Sequence, residues 1–212
     1  MYHRTQIFAM AAILALGIGV ASADEVDIGA GERLHQESCA ACHGGSGVSE
    51  VPGWPSVAGQ QADYTRHHLR LFRDEERYDP QGLMTPESLG LSDADIRNLA
   101  AYYAQLNPPP AQEVDEELAE RGRQIYFAGV RDRNVTSCTG CHGPRGQGVQ
   151  GALYPLVAGQ DQTYTVEALK GYQSGERTSD RNSEMRDIAK RMTAEDIEAV
   201  AAFLASMDAA KK

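Results

Sequence analysis

The chain has 212 residues, of which 42% are hydrophobic and 24% charged, and its net charge is −10. This composition is typical of a globular protein and excludes a collagen-like, a fully disordered and a multi-span membrane protein. The sequence has no basic stripe of the kind that nucleic acid binding requires. Aromatic residues make up only 7% of the chain, so we expect something other than side chains to help fill the interior.

The N-terminal segment has the features of a secretory signal peptide. Arg4 supplies a positive charge, an apolar run follows at 7–20, and Ala21-Ser22-Ala23 is a cleavage site of small residues. The run is shorter than the ~20 residues that a membrane-spanning helix needs. We therefore predict that residues 1–23 direct export into an oxidising compartment; the alternative is an uncleaved membrane anchor.

The remainder of the chain is an internal repeat with an offset of about 100 residues. Both halves contain the same four segments in the same order: Cys-x-x-Cys-His at 39–43 and 138–142, Pro-x-x-x-Gly-Gln at 55–60 and 155–160, Glu-Arg at 76–77 and 176–177, and Asp-Ile at 95–96 and 196–197. Two copies predict two duplicated domains rather than a solenoid. We place domain one at 24–107, a stiff Pro-rich linker at 108–111 and domain two at 112–212.

Hydrophobic periodicity predicts an all-α fold of short helices joined by long Gly- and Pro-containing loops, with no convincing alternating strand. The last helix of each domain carries apolar residues at helical spacing, and Ser92 and Thr193 are its expected N-caps, each followed three residues later by aspartate. The other predicted helices are Gly29–Glu37, Asp63–Arg73, Glu116–Phe127 and Thr163–Ser174.

The two Cys-x-x-Cys-His motifs carry the chemistry. This motif is the attachment signature of c-type haem. Two thiols on one helical turn can each add to a porphyrin vinyl group, and the next residue then offers its imidazole to the iron. We therefore predict two covalently bound haem c groups, attached through Cys39, Cys42, Cys138 and Cys141, with His43 and His142 as the proximal iron ligands.

Paired cysteines have three other common uses in proteins. Two disulfides suit an exported protein but leave both histidines unexplained. A zinc ribbon requires its cysteine pairs about 15–20 residues apart, whereas these lie in different domains. A thioredoxin-like redox site requires a preceding strand, which the sequence does not indicate.

The sixth iron ligand separates an electron carrier from a catalyst. Met84 and Met185 occupy equivalent positions, each twelve residues before the isoleucine of the repeated Asp-Ile pair, and a Met thioether closes the iron. Met192 is the alternative in domain two, but its counterpart is Leu91, so we interpret it as a core residue, as we do Met207. Histidines present in one copy only are interpreted as surface or packing residues: His35, His67 and His68.

Other repeated residues have expected supporting roles. The carbonyls of Pro55 and Pro155 are placed to orient the proximal histidines, unless these prolines only shape a turn. The remaining pairs are candidates for contact with the haem propionates, against the alternatives of packing on the ring edge or solvated charge: Trp54 and Tyr154, and Arg77 and Arg177.

The order of these motifs, present twice, resembles the dihaem class I cytochromes c, and in particular the cytochrome c4 family. The resemblance runs from Gly29 to about Met207 and is closer in domain two, at 138–142 and 185–197. It implies two cytochrome c folds that face each other about a pseudo-twofold axis, with His/Met-ligated haems near the interface. It also implies a periplasmic protein that passes electrons from a donor such as a quinol-oxidising cytochrome complex to a haem-copper terminal oxidase.

The charge is unevenly distributed. Domain one has 6 Lys and Arg against 14 Asp and Glu, a net charge of −8, whereas the chain from residue 108 onwards has a net charge of −3. Such an asymmetry can orient an encounter between proteins. We hypothesise that domain one docks on a basic or membrane-bound partner, the alternative being charge that serves solubility.

Two functions follow from the sequence. A methionine at both equivalent positions favours an electron carrier that is not an enzyme. We also expect a monomer that associates at most loosely with a membrane. The alternative is a cytochrome subunit or a catalytic dihaem enzyme of sulfur-compound oxidation or peroxide reduction. A catalytic haem would need a weak or replaceable sixth ligand, or a partner chain that carries the chemistry.

Overall fold

The computed structural model describes residues 25–209, so the predicted signal peptide lies outside the described part of the chain. Helices dominate this part, and extended pairing within it is limited to two isolated bridges, Val130–Val135 and Val149–Tyr154. The all-α prediction is confirmed. No helix among residues 25–209 has the length and apolar character needed to cross a membrane.

Domain one begins with a helical segment that ends at the first Cys-x-x-Cys-His motif. Helix α1 continues through a π-helical turn at His35–Cys39 into the short helix α2. Two longer helices and one short helix complete the domain. Its helices are α1 (Ile28–Leu34), α2 (Ala40–His43), α3 (Ala62–Arg73), α4 (Met84–Leu89) and α5 (Asp93–Gln105).

Domain two repeats this order. Short 3-10 turns at Arg131–Arg133 and Arg181–Ser183 precede its two short helices. Its helices are α6 (Glu116–Ala128), α7 (Thr139–His142), α8 (Gln162–Ser174), α9 (Glu184–Ala189) and α10 (Ala194–Ser206). The long predicted helices are confirmed to within a few residues, whereas the π turn and the short helices α4 and α9 were not predicted.

The last helix of each domain begins with a capping box. The side chain of Ser92 accepts from the backbone N–H of Asp95, and the Asp95 carboxylate accepts from the N–H of Ser92. Thr193 and Asp196 form the same reciprocal pair at the start of α10. Each box satisfies two backbone donors that a helix start leaves unpaired, as the sequence predicts.

The first and last helices of each domain cross at close range, α1 against α5 and α6 against α10. Glycine makes this possible at equivalent points. A Cβ on Gly31 would lie 2.2 Å from the carbonyl oxygen of Asn98, and one on Gly122 would lie 1.9 Å from that of Ala199. Because the obstructing atoms are backbone, neither crossing could form at this distance with a larger residue.

The buried clusters differ in size between the domains. In domain two, one cluster joins eleven buried residues from α6, α8 and α10 and the loops between them. In domain one, the corresponding cluster contains Leu99, Tyr102 and Tyr103, and six partly buried hydrophobic residues pack against it. So small an apolar cluster needs another group to complete the interior.

We predict that Gly31→Ala destabilises domain one by about 1–3 kcal/mol, because its Cβ must force apart two packed backbones. Gly29→Ala, two residues earlier in α1, is the matched control: its Cβ would meet only side-chain atoms at 3.4 Å. This control should be neutral or slightly stabilising, since alanine favours helix over glycine. Urea unfolding of both holoprotein variants checks this, and equal midpoints would contradict the crossing argument.

Candidate haem sites

Each histidine predicted as a proximal ligand is the last residue of a short helix and is held by one hydrogen bond. The Nδ1 atom of His43 donates to the carbonyl oxygen of Pro55 at 2.8 Å, and Nδ1 of His142 donates to that of Pro155 at 3.1 Å. The predicted role of the two proline carbonyls is thereby confirmed. With Nδ1 engaged, Nε2 is the ring nitrogen left to bind iron, and the ring orientation is fixed.

The environment of both rings favours the uncharged imidazole. Burial lowers the pKa of His43, against a smaller opposing effect of its hydrogen bond to Pro55. Burial likewise lowers the pKa of His142. A neutral imidazole is the form that ligates a metal.

The four cysteines are unpaired, and two of them have clearly suppressed acidity. Burial raises the pKa of the Cys39 thiol, and it raises the pKa of Cys138 to about 11. A thiol-exchange site needs the opposite, a thiol whose pKa is lowered. Within residues 25–209 there is also no group of three or more His, Cys, Asp or Glu side chains able to hold a metal ion. The raised thiol pKa values disfavour a thioredoxin-like redox site.

The glycine carbonyl that follows each motif accepts a hydrogen bond from a different type of residue in the two domains. In domain one, Nε2 of buried His35 donates to the Gly44 carbonyl at 3.0 Å, and its Nδ1 accepts from the Tyr103 hydroxyl at 3.1 Å. In domain two, the Tyr126 hydroxyl donates to the equivalent Gly143 carbonyl at 2.5 Å. His35 is therefore a packing residue, as predicted, and domain two replaces it with tyrosine.

The methionines lie in two kinds of environment. Met84 is the first residue of α4, and Met185 is the second residue of α9; both are half-buried. Met192, by contrast, is a buried member of the domain-two cluster, and Met207 packs against that cluster. The interpretation of Met192 and Met207 as core residues is confirmed by this packing.

Both sites are surrounded by apolar side chains that protein atoms cover only in part. Cys39 and Val57 pack against the domain-one cluster, and Cys138, Val157 and Met185 pack against the domain-two cluster. An apolar, planar group attached at the cysteines would cover these side chains. The residues present therefore fit a haem.

Two arginines cross the domain interface in a reciprocal arrangement. An Nη2 atom of Arg77 donates to the Tyr164 hydroxyl at 3.3 Å, and one of Arg177 donates to the Tyr64 hydroxyl at 3.2 Å. Arg177 is buried, so the alternative that it is a solvated charge at a helix end is wrong.

These guanidinium groups lack an anionic partner in the described chain. Within residues 25–209 neither Arg77 nor Arg177 forms an ion pair with a carboxylate, and Nε of Arg77 is buried without a hydrogen-bond partner. Although burial alone would raise the pKa of Tyr164, the two arginines lower it. Buried positive charge calls for a compensating anion, and the haem propionates are of the right kind.

The other single-copy histidines lie beside this interface. His68 is buried, and its ring packs on that of Tyr64 with a centroid distance of 4.1 Å. Burial lowers its pKa well below the ordinary value, as Arg77 and Arg177 do to a smaller extent. His67 is half-buried on the same helix. Both therefore fit the predicted packing role.

The comparison with protein families agrees with this geometry. The cytochrome c family model matches residues 28–107 and 119–208. A cytochrome c4 from Thiocapsa roseopersicina is 38% identical over 176 residues, which cover 82% of this chain and 90% of that relative.

The chain belongs to the cytochrome c4 family. The crystal structure of reduced recombinant cytochrome c4 from Pseudomonas stutzeri is similar, with a TM-score of 0.78 and 31% identity, and the match covers 86% of this chain and all of that one. A thiosulfate dehydrogenase electron acceptor from Stutzerimonas stutzeri is 31% identical over 93% of this chain and 91% of its own length.

Membership of this family establishes the cofactor and the broad activity. The protein carries two covalently bound haem c groups, one at each pair of cysteines, and it transfers electrons rather than catalysing a reaction. The predicted fold of two tandem cytochrome c domains is confirmed.

We predict that Tyr126→Phe lowers the free energy of unfolding by about 1–3 kcal/mol, because it leaves the Gly143 carbonyl without its buried donor. Ser88→Ala is the control, since the hydroxyl of this buried serine has no hydrogen-bond partner within residues 25–209. Urea unfolding followed by haem absorbance measures both. A control that loses as much as Tyr126→Phe would show that the loss does not come from the Gly143 contact.

Proposed function

We propose that the protein is a periplasmic electron carrier with one closed iron site in each domain. His43 and Met84 are the axial ligands in domain one, and His142 and Met185 are those in domain two. When bound, each haem supplies one-electron chemistry at its iron. The observation that carries this proposal is the duplicated histidine–proline contact, which gives both domains the same proximal geometry.

The chain's own residues have few tasks in such a reaction. His43 and His142 are held in fixed orientations, so an electron enters and leaves with little rearrangement of the ligands. Arg77 and Arg177 compensate the propionates, and the apolar side chains around each cysteine pair exclude water. No proton transfer and no bond cleavage is required of any residue.

Packing supports the choice of Met185 over Met192. Met185 is half-buried at the start of α9 and touches the edge of the domain-two cluster, whereas Met192 is buried inside it. A ligand must reach beyond the protein core to the iron, which favours the residue at the edge. Met84 stands at the equivalent start of α4.

The ligand assignment is tested by NMR of the reduced holoprotein labelled at the methionine methyl carbons. A thioether bound to haem iron lies over the porphyrin, so its methyl resonance is shifted strongly upfield by the ring current. Of the methionines at 84, 185, 192 and 207, we expect two to be shifted. Met185→Leu should remove one shifted resonance, and Met192→Leu, its matched control, an unshifted one. The reverse result would overturn the assignment.

The organisation of the chain and the route of the electrons are both proposed from the sequence and the family. Residues 1–23 act as a signal peptide, 24–107 and 112–212 are the two domains, and 108–111 is the linker. The monomer receives electrons from a membrane donor such as a quinol-oxidising cytochrome complex and delivers them to a haem-copper oxidase, with loose membrane association at most.

We predict that domain one provides the docking charge. Reversing three exposed acidic residues there, Glu37, Glu50 and Glu87 to lysine, should weaken the dependence of oxygen uptake on ionic strength when reduced protein is added to membranes of the source organism. The control is the same charge change in domain two, at Glu113, Glu117 and Glu167. An identical effect of both triple variants would refute docking through domain one.

A second candidate function follows from one comparison. Because a similar protein is named as an electron acceptor of thiosulfate dehydrogenase, we propose a sulfur-oxidising enzyme as an alternative electron donor. Adding purified thiosulfate dehydrogenase and thiosulfate to the oxidised holoprotein should then reduce both haems at a rate comparable to the turnover rate of that enzyme. Reduction no faster than with thiosulfate alone would reject this donor.

A further inference from the structure

Two glutamines join the domains through a reciprocal set of hydrogen bonds. Oε1 of Gln160 accepts from the backbone N–H of Ser56 at 2.9 Å, and its Nε2 donates to the Ser56 carbonyl at 2.9 Å. Gln60 makes the same two contacts with Leu156, both at 3.0 Å. Each glutamine thus binds both the N–H and the carbonyl of one residue in the opposite domain, and the two bound residues are equivalent in the repeat.

The peptide groups that these glutamines bind are the ones that hold the proximal histidines. The Pro55 carbonyl, which accepts from His43, belongs to the same peptide bond as the Ser56 N–H, which donates to Gln160. One continuous chain of hydrogen bonds therefore runs from the His43 ring through a single peptide group to a side chain of domain two.

Domain two contains the mirror image of this chain. The Pro155 carbonyl accepts from His142, and the N–H of the same peptide bond, that of Leu156, donates to Gln60 of domain one. The repeated Pro-x-x-x-Gly-Gln segment supplies both ends, since its proline orients one histidine and its glutamine reaches the other domain.

Hydrogen bonds in series strengthen each other. When an acceptor binds the N–H of a peptide group, the carbonyl oxygen of that group becomes more negative. The hydrogen bond that this oxygen accepts is then stronger by about 10–30%. A stronger acceptor at Nδ1 draws that proton away from the imidazole and makes the ring a more basic ligand. A more basic ligand stabilises the oxidised iron relative to the reduced iron, and so lowers the reduction potential.

We propose that Gln160 and Gln60 are positioning residues that lower the reduction potential of the haem in the opposite domain. Each acts through one peptide bond on the proximal histidine across the interface. The potential of each haem is then a property of both domains, and contact between the domains is what sets it. This inference rests on the proposed ligation by His43 and His142.

The test is a redox titration of the holoprotein followed by the ring-shifted methionine methyl resonances, which report the two haems separately. Gln160→Leu should raise the potential of the domain-one haem and leave that of domain two nearly unchanged. Gln60→Leu should do the opposite. We expect a two- to fivefold change in the equilibrium constant with a one-electron mediator, which is about 20–40 mV at 59 mV per tenfold.

Gln61→Leu is the matched control. This neighbouring glutamine also crosses the interface, with Nε2 donating to the Gln147 carbonyl at 3.2 Å, but within residues 25–209 its side chain makes no hydrogen bond to either proline peptide. It should weaken the interface without moving one potential more than the other. Amide hydrogen exchange at Ser56 should accelerate in Gln160→Leu and remain slow in the control.

A second variant keeps the test decisive if Gln160→Leu does not fold. Gln160→Glu retains an acceptor for the Ser56 N–H and gives it a charge, so the domain-one potential should fall, and fall more than that of domain two. Equal shifts of both potentials, shifts in the mutated domain, or no shift would each overturn the proposal. Wild-type protein without ring-shifted methyls would instead refute the proposed ligation.

Discussion

The hydrogen bond from each proximal histidine to a proline carbonyl is the contact on which the site and the interface both depend. It engages Nδ1, which fixes the ring and leaves Nε2 for iron. The peptide that accepts it is itself clamped by a glutamine of the other domain. The proposed iron sites and the domain contact thus share the same two peptide groups.

The duplication is symmetric where chemistry requires it and asymmetric elsewhere. Histidine orientation, the capping boxes and the glycines at the helix crossings are repeated in both domains. The donor to the carbonyl after the motif is not repeated: His35 and Tyr126, each four residues after its crossing glycine, bond the equivalent carbonyl with different side chains. The apolar clusters and the net charges also differ, which gives the two irons unequal surroundings.

Local patterns predicted much of this molecule, because its long helices are amphipathic and capped by their own residues. The sites of haem attachment can equally be predicted from the sequence, because each Cys-x-x-Cys-His motif is a continuous segment. Helices α4 and α9 cannot be predicted from periodicity, because six residues are too few for a periodic signal. The burial of Arg177 follows from no local pattern, because it depends on contact with the other domain, where Arg177 donates to the Tyr64 hydroxyl.

The interface glutamines were visible in the sequence only as a repeat. Gln60 in the first half and Gln160 in the second occupy equivalent positions, yet haem binding does not require a glutamine. Their role depends on how two folded domains meet, which no local pattern encodes. A polar residue that repeats beside a motif without serving its chemistry is the signal that points to such contacts.

We propose that both irons are closed by protein ligands, so that the molecule carries electrons without reacting with small molecules. The optical spectrum of the reduced holoprotein, recorded with and without carbon monoxide and normalised to haem per chain, tests it most directly. We predict two haems per chain and an unchanged spectrum. A carbon monoxide adduct at either haem would contradict the claim, because it requires an iron whose sixth ligand is absent or easily displaced.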